Sequence, residues 1–432
     1  MLLKRRLLHI MISSTMFNTK VCLLLLVWLC SSYMLVVLKA HTVFTTLNFF
    51  VTTQNIDTFG LVLFFTTLVI LFICVSISDT KYFNKPVLFT LFILFITSLL
   101  GLVVSNNLIS FFIFYELLLL PAYVLVRRSS PNRRSSKVAN YFLLWTQFGS
   151  FLVLLGLFCI FHKTITEYFI HTRFLNVIFL PQFLVFIGFA VKIPLWPFHF
   201  WLSKTHVEAN TSFSIFLSGI LVKAAVFGIY KFLPIFDSAY SWVFITITFV
   251  SIIDASFKMC IQSDLKKLVA FSTVQEMGFM VFLLLTPSNI NYQVLLAFTV
   301  FHTLISAIFF WIVDCLYRRY GTRVAYNISG VSNSAPNLTL FIITSLYLFM
   351  GLPLTIKFSI EFHILKNLLS FNFFLTFLLI FISSYISVIF FFKTFLIINY
   401  GTPNILKILD CTKKEFIVFF TLLCFIFLLN LV

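Results

Sequence analysis

Residues 190–210 read AVKIPLWPFHFWLSKTHVEAN, and this stretch decides how the whole chain is interpreted. The residues before it, NVIFLPQFLVFIGFA (176–190), are almost wholly apolar. Lys192 follows directly, and Pro194, Pro197 and His199 come next. A lysine inside an apolar helix is costly, and proline removes a backbone hydrogen bond from a helix interior. The stretch therefore predicts a charged group beside a broken helix, where it needs a partner or a function.

The composition is typical of a membrane protein. The 432 residues are 61% hydrophobic and only 10% charged, with a mean hydropathy of +1.08. A soluble domain would be about a quarter charged. Apolar runs of about 18 residues or more, long enough to cross a bilayer, recur from end to end of the chain. We therefore expect an all-α polytopic membrane protein in which residues 1–432 form a single integral membrane domain.

Thirteen apolar stretches are interpreted as transmembrane helices, within a range of twelve to fourteen. The connectors between them are short and polar, and none is long enough to form a separate soluble domain. The predicted spans lie near 21–38, 59–78, 87–105, 107–125, 139–161, 176–200, 211–234, 241–260, 265–286, 291–317, 338–365, 371–398 and 415–432.

The basic residues are distributed unevenly between the two sides of the membrane that these spans define. Of the 30 lysines and arginines, four lie inside spans, and Lys39, Lys163, Arg173, Lys231 and Lys366 fall on one side. The other 21 fall on the opposite side, which the positive-inside rule identifies as the inner side. We therefore expect the N-terminus inside and the C-terminus outside. The net charge of +17 follows from this bias, so we assign it to anionic lipid headgroups and not to nucleic acid.

Redox and nucleotide-binding motifs are missing from the sequence. The eight cysteines are scattered without a CxxC pair, so we expect free thiols and neither a disulfide framework nor a metal site. The sequence contains no GxGxxG motif, no P-loop and no paired-histidine haem pattern. The chain itself is therefore expected to carry no electrons and to bind no cofactor. The apolar stretch after Lys20 lacks a small-residue cleavage site and is interpreted as a retained span.

Six ionisable residues stand out among those inside the predicted spans, where charged groups are costly and functional by default. Lys393 lies near the end of its span and could reach the interface. Lys357 and Glu361 are four residues apart on one helical face, which fits a structural ion pair and a proton relay equally well. The other three, which have no such local explanation and are predicted to be functional, are Glu116, Lys192 and Lys223.

Two of the spans contain prolines at mid-depth. Pro194 and Pro197 interrupt the sixth span, and Pro353 interrupts the eleventh just before Glu361. Broken helices in corresponding positions of two halves indicate inverted repeats with an ion path near the midplane. Residues 87–234 and 241–398 hold five spans each, with the break in the fourth of each set. An odd number of helices turns the second copy upside down, so we predict two inverted five-helix repeats.

Six stretches together carry a family resemblance. The chain resembles the antiporter-like subunits of respiratory complex I, the proton-translocating NADH:ubiquinone oxidoreductase, in family order from about residue 55 to the C-terminus. The matching stretches are FFIFYELLLLPAYVL (111–125), AVKIPLWPFHFWLSKTHVEA (190–209), ILVKAAVFGIYKFLP (220–234), SDLKKLVAFSTVQEMGF (263–279), FHTLISAIFFWIVDCLYRRYGTR (301–323) and GLPLTIKFSIEFHIL (351–365).

The resemblance implies a role for each matching residue. Glu116 and Lys192 correspond to the glutamate–lysine pair of the family, Lys223 to its central relay lysine, and His302 to a histidine on its polar axis. Glu361 corresponds to the terminal acid of that axis. Because the sibling groups numbered 2 and 5 have lysine there, the resemblance is closest to group 4. The absence of a long C-terminal extension also argues against group 5. Two histidines of the opening stretch complete the predicted proton relay, His199 and His206.

The resemblance also implies an activity and partners. The chain would translocate protons across the mitochondrial inner membrane, with its N-terminus in the matrix and its C-terminus in the intermembrane space. NADH, FMN, iron–sulfur clusters and ubiquinone would lie on partner subunits, and the neighbours would be antiporter-like subunits 2 and 5, accessory subunits and anionic lipids. Two alternatives remain open, namely a cation/proton antiporter subunit outside complex I and a structural subunit that does not pump.

The chain departs from the family pattern at a few positions. Only one span fits before residues 55–80, where relatives usually have two, so we expect that the first family helix is lost. Gln275–Glu276 stand where many relatives have Ser–His, which adds an acid, and Asp254 and Lys357 are also unusual. We therefore expect the polar axis to be connected differently in this chain.

Overall fold

The computed structural model describes residues 57–77, 85–128, 133–164, 179–236, 240–286, 289–370, 374–402 and 410–430. The span predicted at 21–38 lies outside these described residues. The other twelve predicted spans each coincide with a helix or with two consecutive helices.

The described residues form helices joined by turns and loops, and an isolated β-bridge pairs Asp264 with Val324, which confirms the all-α class. The helices are α1 Thr58–Ile77, α2 Lys85–Val104, α3 Leu108–Leu117, α4 Leu119–Arg127, α5 Arg133–Thr164, α6 Phe179–Lys192, α7 Phe200–Glu208, α8 Thr211–Phe216, α9 Val222–Phe232, α10 Ser241–Ile261, α11 Leu265–Leu285, α12 Asn289–Tyr320, α13 Val331–Ser334, α14 Pro336–Phe349, α15 Ile356–Ser370, α16 Phe374–Asn399 and α17 Lys413–Asn430. A π-helical turn, Leu217–Leu221, joins α8 to α9, and short 3₁₀ turns follow at Leu233–Ile235 and Ala325–Asn327.

Six helical segments of the described chain are long and apolar enough to cross a membrane, and five shorter apolar helices accompany them. Three of the six are almost entirely buried by other helices, namely Thr211–Ile235 (94%), Leu265–Leu285 (100%) and Asn291–Tyr320 (89%). The other three, Leu108–Arg127, Arg133–Phe161 and Ser241–Ile261, are buried over less than half of their length. A helix that is apolar all round belongs in the centre of a bundle. The fold is therefore a polytopic membrane bundle with a three-segment centre, while the total of thirteen spans stays a prediction.

Both predicted breaks are present. α6 ends at Lys192 and α7 begins at Phe200, with Pro194 and Pro197 between them. The helix then continues to Glu208, beyond the predicted end of this span at residue 200. α14 ends at Phe349 and α15 begins at Ile356, with Pro353 between them.

Side chains satisfy backbone carbonyls at each break. Trp201 Nε1 donates to Val191 O over 2.8 Å, and Thr355 Oγ1 donates to Leu352 O over 2.7 Å. An irregular backbone at membrane depth is tolerated only where such partners exist. The inverted relation between the two halves, which these breaks suggested, stays a prediction.

Two glycines fix the position of the helix that carries Lys192. A Cβ atom on Gly188 of α6 would lie 2.7 Å from Gly149 O of α5, and one on Gly149 would lie 2.8 Å from Gly188 O. The backbones of α5 and α6 are therefore in direct contact, as small residues permit in membrane helices. This packing places Lys192, the last residue of α6, beside the start of the break.

Candidate functional site

Glu116 and Lys192 form the ion pair that the sequence predicts. Lys192 Nζ lies 2.9 Å from Glu116 Oε1, and the lysine side chain is only 2% exposed. The same ammonium lies 3.5 Å from the centroid of the Tyr115 ring, a cation–π contact. Gln147 of α5 donates from Nε2 to Glu116 Oε2 over 3.1 Å. Sequence reasoning missed Tyr115 and Gln147, although Tyr115 directly precedes Glu116.

The local structure favours the charged form of this pair. Lys192 ends α6, where the last carbonyls of a helix carry partial negative charge that attracts a cation. The carboxylate of Glu116 has a donor on each oxygen, and it is 22% exposed at the edge of the described bundle. The pair can therefore exchange a proton between a buried amine and a carboxylate that reaches the bundle surface.

Lys223 and His302 meet in the buried centre. Lys223 Nζ lies 2.6 Å from His302 Nδ1, and both side chains are buried. The lysine also donates to the backbone carbonyl of Ser218. That carbonyl belongs to the π-helical turn Leu217–Leu221, which the sequence did not predict. A π turn changes the hydrogen-bonding register of a helix and often marks a functional position, and here it places an acceptor against the central lysine.

Lys357 lies between two carboxylates at the second break. Its Nζ is 2.8 Å from Glu276 Oε1 of α11 and 3.6 Å from Glu361 Oε1, one turn further along α15. It also lies 3.7 Å from the centroid of the Phe349 ring. The sequence offered one signal for Glu276, namely an acid at a position where many relatives have Ser–His. Its contact with Lys357 joins residues 81 positions apart, which no local pattern indicates.

The central pair and the Lys357 cluster interact electrostatically. The carboxylate of Glu276 acts on the ammonium of Lys223, and the ammonium of Lys357 acts on the ring of His302. Charges in the low-dielectric interior of a protein interact more strongly than they would in water. The structure therefore brings Lys223, His302 and Glu361 into one polar region, joined through Glu276 and Lys357.

The two remaining predicted relay histidines make different contacts. His199, in the first break, has its Nε2 at 2.6 Å from Lys258 Nζ and 3.3 Å from Asp254 Oδ2. His206 is fully buried and stacks on the Phe310 ring, with centroids 4.6 Å apart. Neither ring nitrogen of His206 has a hydrogen-bond partner among the described residues. The relay roles of both histidines stay predictions.

Within the described ranges, no group of three or more histidine, cysteine or acidic side chains is arranged to hold a metal ion. The ionisable side chains that the described site contains include lysines, carboxylates and histidines, all of which can bind and release protons.

Comparison with known proteins shows which family and which relatives the chain is similar to. Residues 105–387 match the family described as NADH:quinone oxidoreductase/Mrp antiporter, transmembrane. The chain is 36% identical to NADH-ubiquinone oxidoreductase chain 4 of Paramecium tetraurelia over 380 residues, 86% of this chain and 80% of the relative. It is 31% identical to the chain 4 protein of Acanthamoeba castellanii over 397 residues, 87% of this chain and 78% of that one.

Solved structures share the fold. A chain of respiratory complex I from Thermus thermophilus, with bound NADH, superposes with a TM-score of 0.76 at 20% identity, covering 87% of this chain and 81% of that chain. A chain of the Mrp complex from Dietzia sp. DQ12-45-1b gives a TM-score of 0.75 at 20% identity, covering 81% of this chain and 67% of that chain. Identities this low support a common fold alone.

Proposed function

Because this chain belongs to the chain 4 group of the antiporter-like subunits of NADH:quinone oxidoreductase, we propose that it translocates protons across the mitochondrial inner membrane as part of complex I. Electron transfer from NADH to ubiquinone would occur on other subunits and would drive the translocation. The observation that carries the proposal is that the buried lysines Lys192, Lys223 and Lys357 each contact a side chain able to accept a proton.

The Glu116–Lys192 pair supplies the switch. Burial disfavours the charged form of a lysine, and a nearby carboxylate favours it. Closing the pair therefore loads the amine with a proton, and opening it favours release. A fully buried ionisable group shifts its pKa by up to about 3–5 units, and one unit corresponds to about 1.36 kcal/mol. Moving a proton against the membrane potential costs about 2.3 kcal/mol per 100 mV. The pair is thus strong enough to control a proton against a membrane potential.

The buried groups beyond this pair would form the path along which the proton moves through the bundle. Lys223 and His302 would receive the proton in the centre of the bundle and pass it toward Glu361 at the second break. Groups this close titrate as a coupled set, so the cluster and not one residue determines when the proton moves. We assign His199 and His206 to an entry path at the first break as part of the same proposal.

The proposal includes an arrangement in the membrane and a set of partners. We propose thirteen spans, two inverted repeats at 87–234 and 241–398, an N-terminus in the matrix and a C-terminus in the intermembrane space. Chains 2 and 5, accessory subunits and anionic lipids would surround the chain, and NADH, FMN, iron–sulfur clusters and ubiquinone would bind to partner subunits.

A second candidate is a cation/proton antiporter subunit outside complex I, which the shared fold of the Mrp chain favours. The two candidate functions predict that the chain is part of different complexes. Affinity purification of the tagged chain should recover a complex that oxidises NADH with a quinone acceptor. Recovery of a complex without this activity would support the antiporter instead.

Substitution of Lys192 tests the proposed function. Lys192→Ala should lower proton pumping and NADH:quinone turnover about tenfold, which is about 1.4 kcal/mol in activation free energy, because a stalled switch holds back the coupled electron transfer. Lys192→Arg should rescue poorly, since a guanidinium keeps its proton. Lys393→Ala is the matched control, because Lys393 is an exposed lysine within a predicted span. A fully coupled, fully active Lys192→Ala complex would show that Lys192 only supports the fold.

A further inference from the structure

The contacts at the second break repeat those at the first. At the first, Lys192 lies 2.9 Å from Glu116 and 3.5 Å from the Tyr115 ring centroid. At the second, Lys357 lies 2.8 Å from Glu276 and 3.7 Å from the Phe349 ring centroid. Lys192 is the last helical residue before its break, and Lys357 is the second residue after its own. Each break therefore has a buried lysine in contact with at least one carboxylate and with one aromatic ring.

The two pairs also occupy corresponding helices of the predicted repeats. Glu116 lies on the second span of the first repeat, and Glu276 lies on the second span of the second repeat, helix α11. Lys192 and Lys357 both lie on the broken fourth span. Because the two pairs occupy corresponding helices of the two predicted repeats, we interpret the Glu276–Lys357 contact as the counterpart of the Glu116–Lys192 pair and not as an isolated surface ion pair.

The second lysine differs from the first because it has two acceptors. Glu276 is 5% exposed and lies on the fully buried helix α11, whereas Glu361 is 32% exposed. The Glu361 carboxylate also lies against the break itself, since a Cβ on Gly351 would be 2.9 Å from Glu361 Oε2. One ammonium between two carboxylates leaves one negative charge in excess, and Lys357 is paired more closely with Glu276, at 2.8 Å, than with Glu361, at 3.6 Å.

We propose that Glu276 and Lys357 form a second lysine–carboxylate switch, in which Lys357 moves between the inner acid Glu276 and the peripheral acid Glu361. The inference rests on the proposed function and deepens it. In the transfer step the Lys357 ammonium gives its proton to the Glu361 carboxylate, leaving a neutral amine and a carboxylic acid. The amine is then protonated again from the Lys223–His302 pair, whose charges already interact with Glu276 and Lys357.

The competing explanation is a fixed ion cluster that only stabilises the fold. Replacing Lys357 with arginine distinguishes this explanation from the switch. A fixed cluster needs a permanent positive charge that contacts both acids, which arginine provides with five donors. A switch needs a group that releases its proton, which arginine does not do at physiological pH. Lys357→Arg should therefore preserve a structural cluster and inactivate a switch.

The test measures assembly, NADH:quinone turnover and protons pumped per electron for the whole complex in proteoliposomes. With Lys357→Arg we expect normal assembly, about tenfold lower turnover and a lower proton-to-electron ratio. A coupled, fully active Lys357→Arg complex would overturn the inference. Glu276→Gln is the second variant, because glutamine still accepts a hydrogen bond from Lys357 and leaves Glu361 as its counter-ion.

If the arginine side chain prevents assembly of the complex, the Glu276→Gln variant distinguishes the switch from the structural cluster. An assembled Glu276→Gln complex that pumps less supports the switch, whereas normal coupling, or loss of assembly in both variants, shows a structural cluster. Lys192→Ala is measured in parallel. Normal pumping by Lys192→Ala would refute the proposed function itself, while impaired Lys192→Ala beside normal Lys357→Arg would refute only the second switch.

Discussion

At the scale of single residues, the carboxylate of Glu116 is held by two different donors. Lys192 occupies one oxygen at 2.9 Å and Gln147 occupies the other at 3.1 Å. The two donors come from α6 and α5, whose backbones touch at Gly149 and Gly188. The Glu116 side chain therefore reaches two partners on closely packed helices, and both its length and its charge should matter.

Glu116→Asp tests reach separately from charge. Aspartate keeps the negative charge but is one methylene shorter, so the contact with Lys192 should lengthen beyond a direct hydrogen bond. We expect pumping by Glu116→Asp to fall several-fold and to remain above that of Glu116→Gln, which loses the charge. The measurement is protons pumped per NADH oxidised by assembled complex in vesicles. Equal activity of the aspartate variant and the wild type would indicate that charge alone is sufficient.

The sequence predicted some of these residues and missed others for a physical reason. Glu116, Lys192 and Lys223 could be identified because an ionisable residue in an apolar run is conspicuous on its own. Gln147 could not, since one uncharged glutamine in an apolar span does not indicate which side chain it contacts. Glu276 was noted as an unusual acid, but its partner lies 81 residues away on another helix.

At the scale of the helices, glycine and proline determine where the functional side chains stand. The two breaks were predictable, because Pro194, Pro197 and Pro353 prevent helical hydrogen bonding locally. The π turn at Leu217–Leu221 was not predictable, since LSGIL contains no residue that demands it. That turn arises within a fully packed segment and presents the carbonyl of Ser218 to Lys223.

Gly188→Ala tests the close approach of α5 and α6. The added Cβ would lie 2.7 Å from the backbone oxygen of Gly149, so the helices must separate. Overpacking of this kind costs about 1–3 kcal/mol. We expect less assembled complex and a lower Tm. Gly219→Ala is the matched control, because the three atoms nearest to its Cβ would all belong to Ile70, at ordinary contact distances of 3.5–3.7 Å. Equal assembly of the two variants would contradict the proposed role of the Gly149–Gly188 contact.

At the scale of the whole molecule, the central groups lie on the most buried segments. Lys223, Glu276 and His302 belong to the three segments that are 94%, 100% and 89% buried. The acids of the two outer pairs, Glu116 and Glu361, are partly exposed at 22% and 32%. Ionisable groups therefore extend through the centre of the bundle and reach its surface at two acids, which is the arrangement that the proposed lateral proton transfer requires.

The proposed arrangement of the chain in the membrane rests on an odd number of predicted spans and on the charge distribution. Thirteen spans place the two termini on opposite sides, whereas twelve or fourteen would place them on the same side. Each lysine or arginine near an anionic leaflet contributes about 1 kcal/mol, so a distribution of 21 against 5 strongly favours one orientation. In intact mitoplasts, we expect an external protease to remove a C-terminal tag and to leave an N-terminal tag intact. Permeabilised mitoplasts are the control, in which both tags should be cleaved. Cleavage of both tags in intact mitoplasts would indicate an even number of spans and would contradict the thirteen-span prediction.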